Sequence, residues 1–179
     1  SRALQDPDLI VWPEAALPIT LDAVPEETLA ELSSLDAALV FGVIDRQVSP
    51  QGSTLYNAMV GLEGGEPGTL QVYHKRHLVP LGEYIPLRFM IEFFDRFVKI
   101  PMSDIASGDE EQELLVAAGV PIAVSICFEE AFSRDVIRDL PKAKVLVNVS
   151  NDAWFEDSHE PHQHHTIARM RALETGRYM

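Results

Sequence analysis

Cys127 is the only cysteine in the chain. It follows the apolar run Ile122-Ala123-Val124-Ser125-Ile126 and precedes Phe128-Glu129-Glu130, where a helix is expected to begin. A strand-to-helix turn exposes a side chain at a sheet edge, and a helix N-terminus favours the thiolate that attacks carbonyl carbon. That is a nucleophile's position. Taken alone, such a cysteine is more often a buried core thiol, and a metal ligand is the third reading. In Val11-Trp12-Pro13-Glu14-Ala15-Ala16-Leu17-Pro18 a single carboxylate, Glu14, comes directly after an apolar strand, between prolines that fix the path of the chain. Apolar surroundings would raise its pKa, which suits a general base for a thiol proton; a helix-start glutamate is the plain alternative. Tyr73-His74-Lys75-Arg76-His77 is a basic cluster in an acidic protein, and Gly82-Glu83-Tyr84-Ile85-Pro86 closes the segment as a turn. A lysine aimed at a developing oxyanion would stabilise a tetrahedral intermediate together with the backbone N–H after the cysteine. A solvated charged loop is the other reading.

The elements that must position these residues are legible as short apolar runs rich in β-branched residues. These are Leu9 to Val11, Ala38 to Ile44, Tyr56 to Leu62, Leu70 to Tyr73, Ile122 to Ile126 and Val145 to Val149. Helical patterns lie over Pro25 to Leu35, Glu129 to Leu140 and Pro161 to Thr175, the last with proline at its first turn. The class is α/β or α+β. Glu63-Gly64-Gly65-Glu66-Pro67-Gly68 between two strands reads as a hairpin turn, so the sheet is expected to be mixed. Glu14, Lys75 and Cys127 each fall at the end of an expected strand.

With 14 basic and 28 acidic residues, the net charge is −14 over 179 residues. No Lys/Arg run could neutralise a phosphate backbone, which argues against nucleic acid, and the acidity argues against electrostatic docking on anionic lipid. Apolar contact with a membrane stays open. No apolar run reaches the roughly 20 residues of a membrane-spanning helix, and Ser1 to Asp8 is too polar for a signal peptide. Composition and length fit one domain over residues 1–179. Both ends read as cut, so a piece of a longer chain is expected.

Glutamate, lysine and cysteine in that order, each at a strand end, resemble the nitrilase (carbon–nitrogen hydrolase) superfamily. The resemblance implies an α-β-β-α sandwich with Glu14 as general base, Lys75 as oxyanion lysine, Cys127 as nucleophile and Glu83 as the second glutamate near the nucleophile. Asn148-Val149-Ser150-Asn151-Asp152-Ala153-Trp154-Phe155, then Pro161, Gln163-His164 and Ala168-Arg169-Met170-Arg171-Ala172-Leu173-Glu174, resemble the bacterial apolipoprotein N-acyltransferases. Trp12-Pro13-Glu14 and Cys127-Phe128-Glu129-Glu130 point the same way. That family implies a phospholipid acyl donor, a diacylglyceryl-cysteine lipoprotein acceptor, no cofactor, and a place at the periplasmic face of the inner membrane, held by transmembrane segments outside this chain. It also implies a supporting role for Glu129 and substrate contacts from Trp154, Phe155 and His164. Phe128 stands where a tyrosine is common and Glu156 where a glycine is usual.

Two other signals are weighed and set aside. His159, His162, His164 and His165 with Glu160 have the residue types of a metal site; only His164 matches the family motif, and no metal is assigned. Leu87 to Met102 is aromatic beyond what one helix face holds, and reads as core packing or as an arm meeting acyl chains. The rival functions are a nitrilase-like amidase, which uses the same three residues with water as acceptor, and a non-catalytic or metal-binding module.

Overall fold

A computed structural model describes residues 7–64, 70–80, 82–83, 105–154 and 158–179. The strands are β1 (Leu9–Val11), β2 (Ala38–Ser49), β3 (Gly52–Leu62), β4 (Gln71–His74), β5 (Leu115–Ala117), β6 (Val120–Ile126) and β7 (Val145–Val149). The helices are α1 (Glu26–Ser33), α2 (Ser133–Arg138) and α3 (Glu160–Thr175), with 3₁₀ turns at Leu21–Ala23, Cys127–Ala131 and Asp152–Trp154. The strands form two sheets, β1-β2-β3-β4 and β5-β6-β7. Each is mixed: β1 runs parallel to β2 and β6 parallel to β7, while the other neighbours are antiparallel.

The side-chain alternation of a strand explains why the sheets stack. On β2, Ala38 and Val40 point to one face and meet Met59, Tyr73, Leu115, Ile122, Val124 and Ile126, so this face joins the two sheets. The alternate residues Leu39, Phe41 and Val43 point the other way and pack with Val60 and Leu62 under Leu29 and Leu32 of α1. Buried on both faces, the first half of β2 is continuously apolar rather than alternating. The outer face of the second sheet is covered through Val136 of α2, with Ala123, Leu146 and Leu140. The order of layers is helix, sheet, sheet, helix.

The structure corrects several expected bounds. β2 and β3 run on past Ile44 and Tyr56 as an exposed hairpin closed by Pro50-Gln51, with Ser49 paired to Gly52. β5 lies in a stretch with no strand signal and is joined to β6 by Ala118-Gly119, both at positive φ (51° and 70°), as a tight two-residue turn requires. The helix expected from Glu129 to Leu140 is instead a 3₁₀ turn and the short α2, separated at Phe132, whose φ and ψ of −89° and 81° are not helical. Among the described residues no helix is long and apolar enough to cross a membrane. Leu87 to Met102, Phe155 and Glu156 lie outside the described residues.

Candidate active site

The C-terminal ends of β1, β4, β6 and β7 deliver Glu14, Lys75, Cys127 and the segment Ser150-Asn151. Glu14 sits on a loop fastened to β2 by hydrogen bonds from Trp12 N–H to Val40 O (2.8 Å), Gly42 N–H to Pro13 O (3.2 Å) and Leu17 N–H to Gly42 O (3.3 Å). Its surroundings are polar rather than apolar, contrary to the sequence expectation. Asn57 Nδ2 donates to Glu14 Oε1 at 2.7 Å, Lys75 Nζ lies 3.4 Å from the same oxygen, and the Asn151 N–H donates to Oε2 at 3.1 Å.

Lys75 is 1 % exposed and its ammonium is held by Glu83, 3.0 Å from Oε1 and 2.9 Å from Oε2. Glu83 is itself anchored by donors from Asn57 Nδ2 at 2.7 Å and Val79 N–H at 2.9 Å. Burial pulls the Lys75 pKa down, but Glu14, Glu83 and Cys127 outweigh it, and the group is held above its ordinary value as a cation. The rest of the basic cluster turns elsewhere. His74 pairs with Asp45 at 2.8 Å and stacks on Tyr56, Arg76 pairs with Asp139 at 3.3 Å, and His77 pairs with Asp135 and stacks on Phe132. Of the four, Lys75 is the one brought to Glu14.

Cys127 opens its 3₁₀ turn at φ 55°, in the left-handed region that a side chain adopts only under constraint. Two groups supply that constraint. Asn148 Nδ2 donates to Cys127 O at 2.9 Å. Glu129, 3 % exposed, accepts from Ile126 N–H (2.7 Å) and Tyr73 OH (3.0 Å) on Oε2, and from Arg76 N–H (2.6 Å) and His77 N–H (3.0 Å) on Oε1. One buried carboxylate thus ties the Cys127 turn to the segment carrying Lys75. Burial raises the Glu129 pKa against those four donors.

Burial also pushes the Cys127 thiol above its usual range, with Lys75 drawing it back, Glu14 raising it further, and Ser150 and the Phe128 N–H favouring the thiolate. These influences together favour the thiol, and Glu14 is the carboxylate that bears on it. An ultraviolet titration of thiolate should therefore show a midpoint above that of an ordinary thiol. Glu14→Gln should move the midpoint down by removing a negative neighbour, and Lys75→Met should move it up. Midpoints that do not respond in opposite directions would mean that the two groups do not share the thiol's field.

Phe128 packs edge-on against Phe132, with ring centroids 5.1 Å apart. Trp154 closes the 3₁₀ turn after β7, and His164 lies on the first turns of α3 beside Asp152 and Glu160. Asn57 and Asn148 escaped the sequence reading as site residues. Asn57 leaves a trace there, as a carboxamide inside the apolar run Tyr56 to Leu62 that needs partners once buried.

A family model described as carbon-nitrogen hydrolase matches residues 2–179. An apolipoprotein N-acyltransferase of Methylococcus capsulatus is 48 % identical over 183 residues, covering 100 % of this chain and 35 % of the relative. One of Nitrosomonas europaea is 45 % identical over 175 residues, covering 96 % of the chain and 34 % of the relative. The chain thus spans about a third of the length of these relatives. Among solved structures, the Caenorhabditis elegans NitFhit protein superposes with a TM-score of 0.63 at 16 % identity, over 92 % of this chain and 40 % of that one, which shows a shared fold.

Proposed function

Because the chain belongs to the carbon–nitrogen hydrolase family, we propose that it is the catalytic part of an apolipoprotein N-acyltransferase, with Glu14, Lys75 and Cys127 as its reacting residues. The observation that carries this reading is the meeting of Glu14, the Lys75 ammonium and the Cys127 thiol at the strand ends, in a sequence 48 % identical to a protein of that name.

The chemistry follows from the geometry. Glu14 takes the Cys127 proton as sulfur attacks the acyl ester carbonyl of a phospholipid; Lys75 and the Phe128 N–H face the oxyanion. Collapse breaks the ester C–O bond, the proton returns from Glu14 to the lysophospholipid oxygen, and a Cys127 thioester remains. The free α-amine of a diacylglyceryl-cysteine then attacks the thioester, loses its proton to Glu14, and leaves as the amide while the thiol is restored. The Asn57 and Asn151 donors keep the Glu14 carboxylate in place through both halves. Glu83 and Glu129 are positioning residues that hold Lys75 and the nucleophile's turn; the resemblance assigns substrate contact to Trp154, Phe155 and His164, of which His164 turns its ring nitrogens to Glu160 and Asp152. No step requires a cofactor. A phospholipid donor fits a reaction at the inner membrane, and the resemblance to the N-acyltransferases implies its periplasmic side.

The test is incubation of the intact protein with phospholipid, followed by intact mass. The expected result is an acyl adduct that is absent in Cys127→Ala and passes to a diacylglyceryl-cysteine peptide. Absence of an adduct with turnover of small amides would replace this reading with an amidase.

A further inference from the structure

Next to the nucleophile's turn lies a cavity of about 330 Å³ lined by Glu130, Ser150, Asp152, His164 and His165 among others. Glu160 and His164 stand one helical turn apart at the start of α3, with His164 Nε2 2.6 Å from Glu160 Oε1. The other ring nitrogen, Nδ1, is 3.5 Å from Asp152 Oδ1. One donor atom from each of Asp152, Glu160 and His164 can be chosen so that all three lie within 4.8 Å of one another. Glu130, 0 % exposed, lines the same cavity, and neither of its carboxylate oxygens has a hydrogen-bond partner among the described residues. Asp152 Oδ1, Glu160 Oε2 and His164 Nδ1 are likewise buried and without a partner among them.

A protonated imidazole between two carboxylates would account for the Glu160 contact alone. It leaves Glu130 without a donor, because Arg171, the cation that bears on Glu130, makes no hydrogen bond to it: its Nη1 lies 2.7 Å from Glu174, and its Nε is buried without a partner among the described residues. Buried carboxylates without donors are costly and are normally paired or metal-bound. The 3.5 Å between His164 Nδ1 and Asp152 Oδ1 is long for a hydrogen bond. Two donors at opposite ends of a tetrahedral edge, each about 2.1 Å from a common ion, are separated by roughly 3.4 Å.

We infer that Asp152, Glu160 and His164, with the Glu130 carboxylate, form a site for one divalent transition-metal ion. An imidazole with several carboxylates suits the Mn²⁺ to Zn²⁺ series over Mg²⁺ or Ca²⁺. The ion's role is structural. Glu130 belongs to the 3₁₀ turn that begins at Cys127, Asp152 to the turn after β7, and the other two to α3. The ion therefore clips three elements together beside the nucleophile. This revises the sequence reading, which set metal aside and grouped the histidines by spacing. His159, His162 and His165 are exposed and stand outside the cluster, while Asp152 enters it from another element and Glu130 lines the same cavity.

The test is to strip the intact protein with chelator and titrate it with Co²⁺, Zn²⁺ and Mn²⁺, with Mg²⁺ for comparison. Expected are one Co²⁺ per chain with the visible absorption of mixed nitrogen–oxygen ligation, and a rise in thermal midpoint of several degrees on Zn²⁺ saturation. Asp152→Asn and Glu160→Gln should each weaken binding at least tenfold, on the scale of lost ligands or their supports. The triple variant His159→Ala/His162→Ala/His165→Ala should bind as the parent does. The inference is overturned by absence of stoichiometric binding, or by binding that survives both acidic substitutions and disappears in the triple histidine variant.

Discussion

Lys75→Met is expected to lower acyl transfer by about 10³-fold and folding stability by about 3–5 kcal/mol in the same variant. The two losses have separate causes. Removal of a donor aimed at an oxyanion costs roughly 10²- to 10³-fold in turnover. The stability loss arises because Lys75 is 1 % exposed and is the cation shared by Glu14 and Glu83. Without it, two carboxylates face each other across one Asn57 amide, which is 2.7 Å from each. Breaking a buried pair by removing one partner is far costlier than the net worth of the pair. Denaturant unfolding and single-turnover acylation separate the effects. Lys75→Met/Glu83→Gln should regain most of the lost stability, because one carboxylate is neutralised, and none of the lost rate. A stable Lys75→Met variant would show that the ammonium is not the counter-charge of this cluster.

Gly42→Ala should cost about 10²-fold in acyl transfer, although residue 42 touches no substrate. A Cβ at this position would stand 2.5 Å from Pro13 O, 2.6 Å from Ala15 N and 2.7 Å from Glu14 Cα. All three are backbone atoms, so no rotamer change relieves the clash, and the Glu14 loop must lift from β2. A displacement near 1 Å of a reacting group costs on the order of 10²-fold, and the overpacking costs about 1–3 kcal/mol of stability. Gly61→Ala is the control. It lies in the neighbouring strand, where a Cβ has ordinary contacts at 3.7 Å, and it should transfer acyl groups at the parent rate. Equal rates in both variants would mean that the loop's height over β2 does not set the position of Glu14.

The placement of Glu14, Lys75 and Cys127 after strands was legible in the sequence because each follows an apolar run, and strand ends are where a sheet presents side chains. β1 and β7 also end where their apolar runs end. β2 did not, because Asp45-Arg46-Gln47 breaks the apolar run while ladder hydrogen bonds to β3 continue regardless of side-chain polarity. The split of the Glu129 to Leu140 pattern was hidden for a different reason. Its periodicity is helical, but Glu129 is drawn back onto Ile126 N–H and across to Arg76 and His77, bonds that cross about 50 residues of chain. The choice of Lys75 from four consecutive basic residues was likewise unreadable by spacing, since it depends on Asp45, Asp135 and Asp139 occupying the other three. The acidic cluster around His164 shows the same limit, with donors from three separate elements.

The hydrogen bond from Asn151 N–H to Glu14 joins residues 137 apart in sequence. Loop closure over such a span is slow and comes after local hairpins have formed. Oε1 of Glu14 is held by Asn57 and Lys75, but the bond to its Oε2 forms only when the segment after β7 has docked against the loop after β1. The carboxylate's last tie is in this way a late signature of folding, made between the two ends of the described chain.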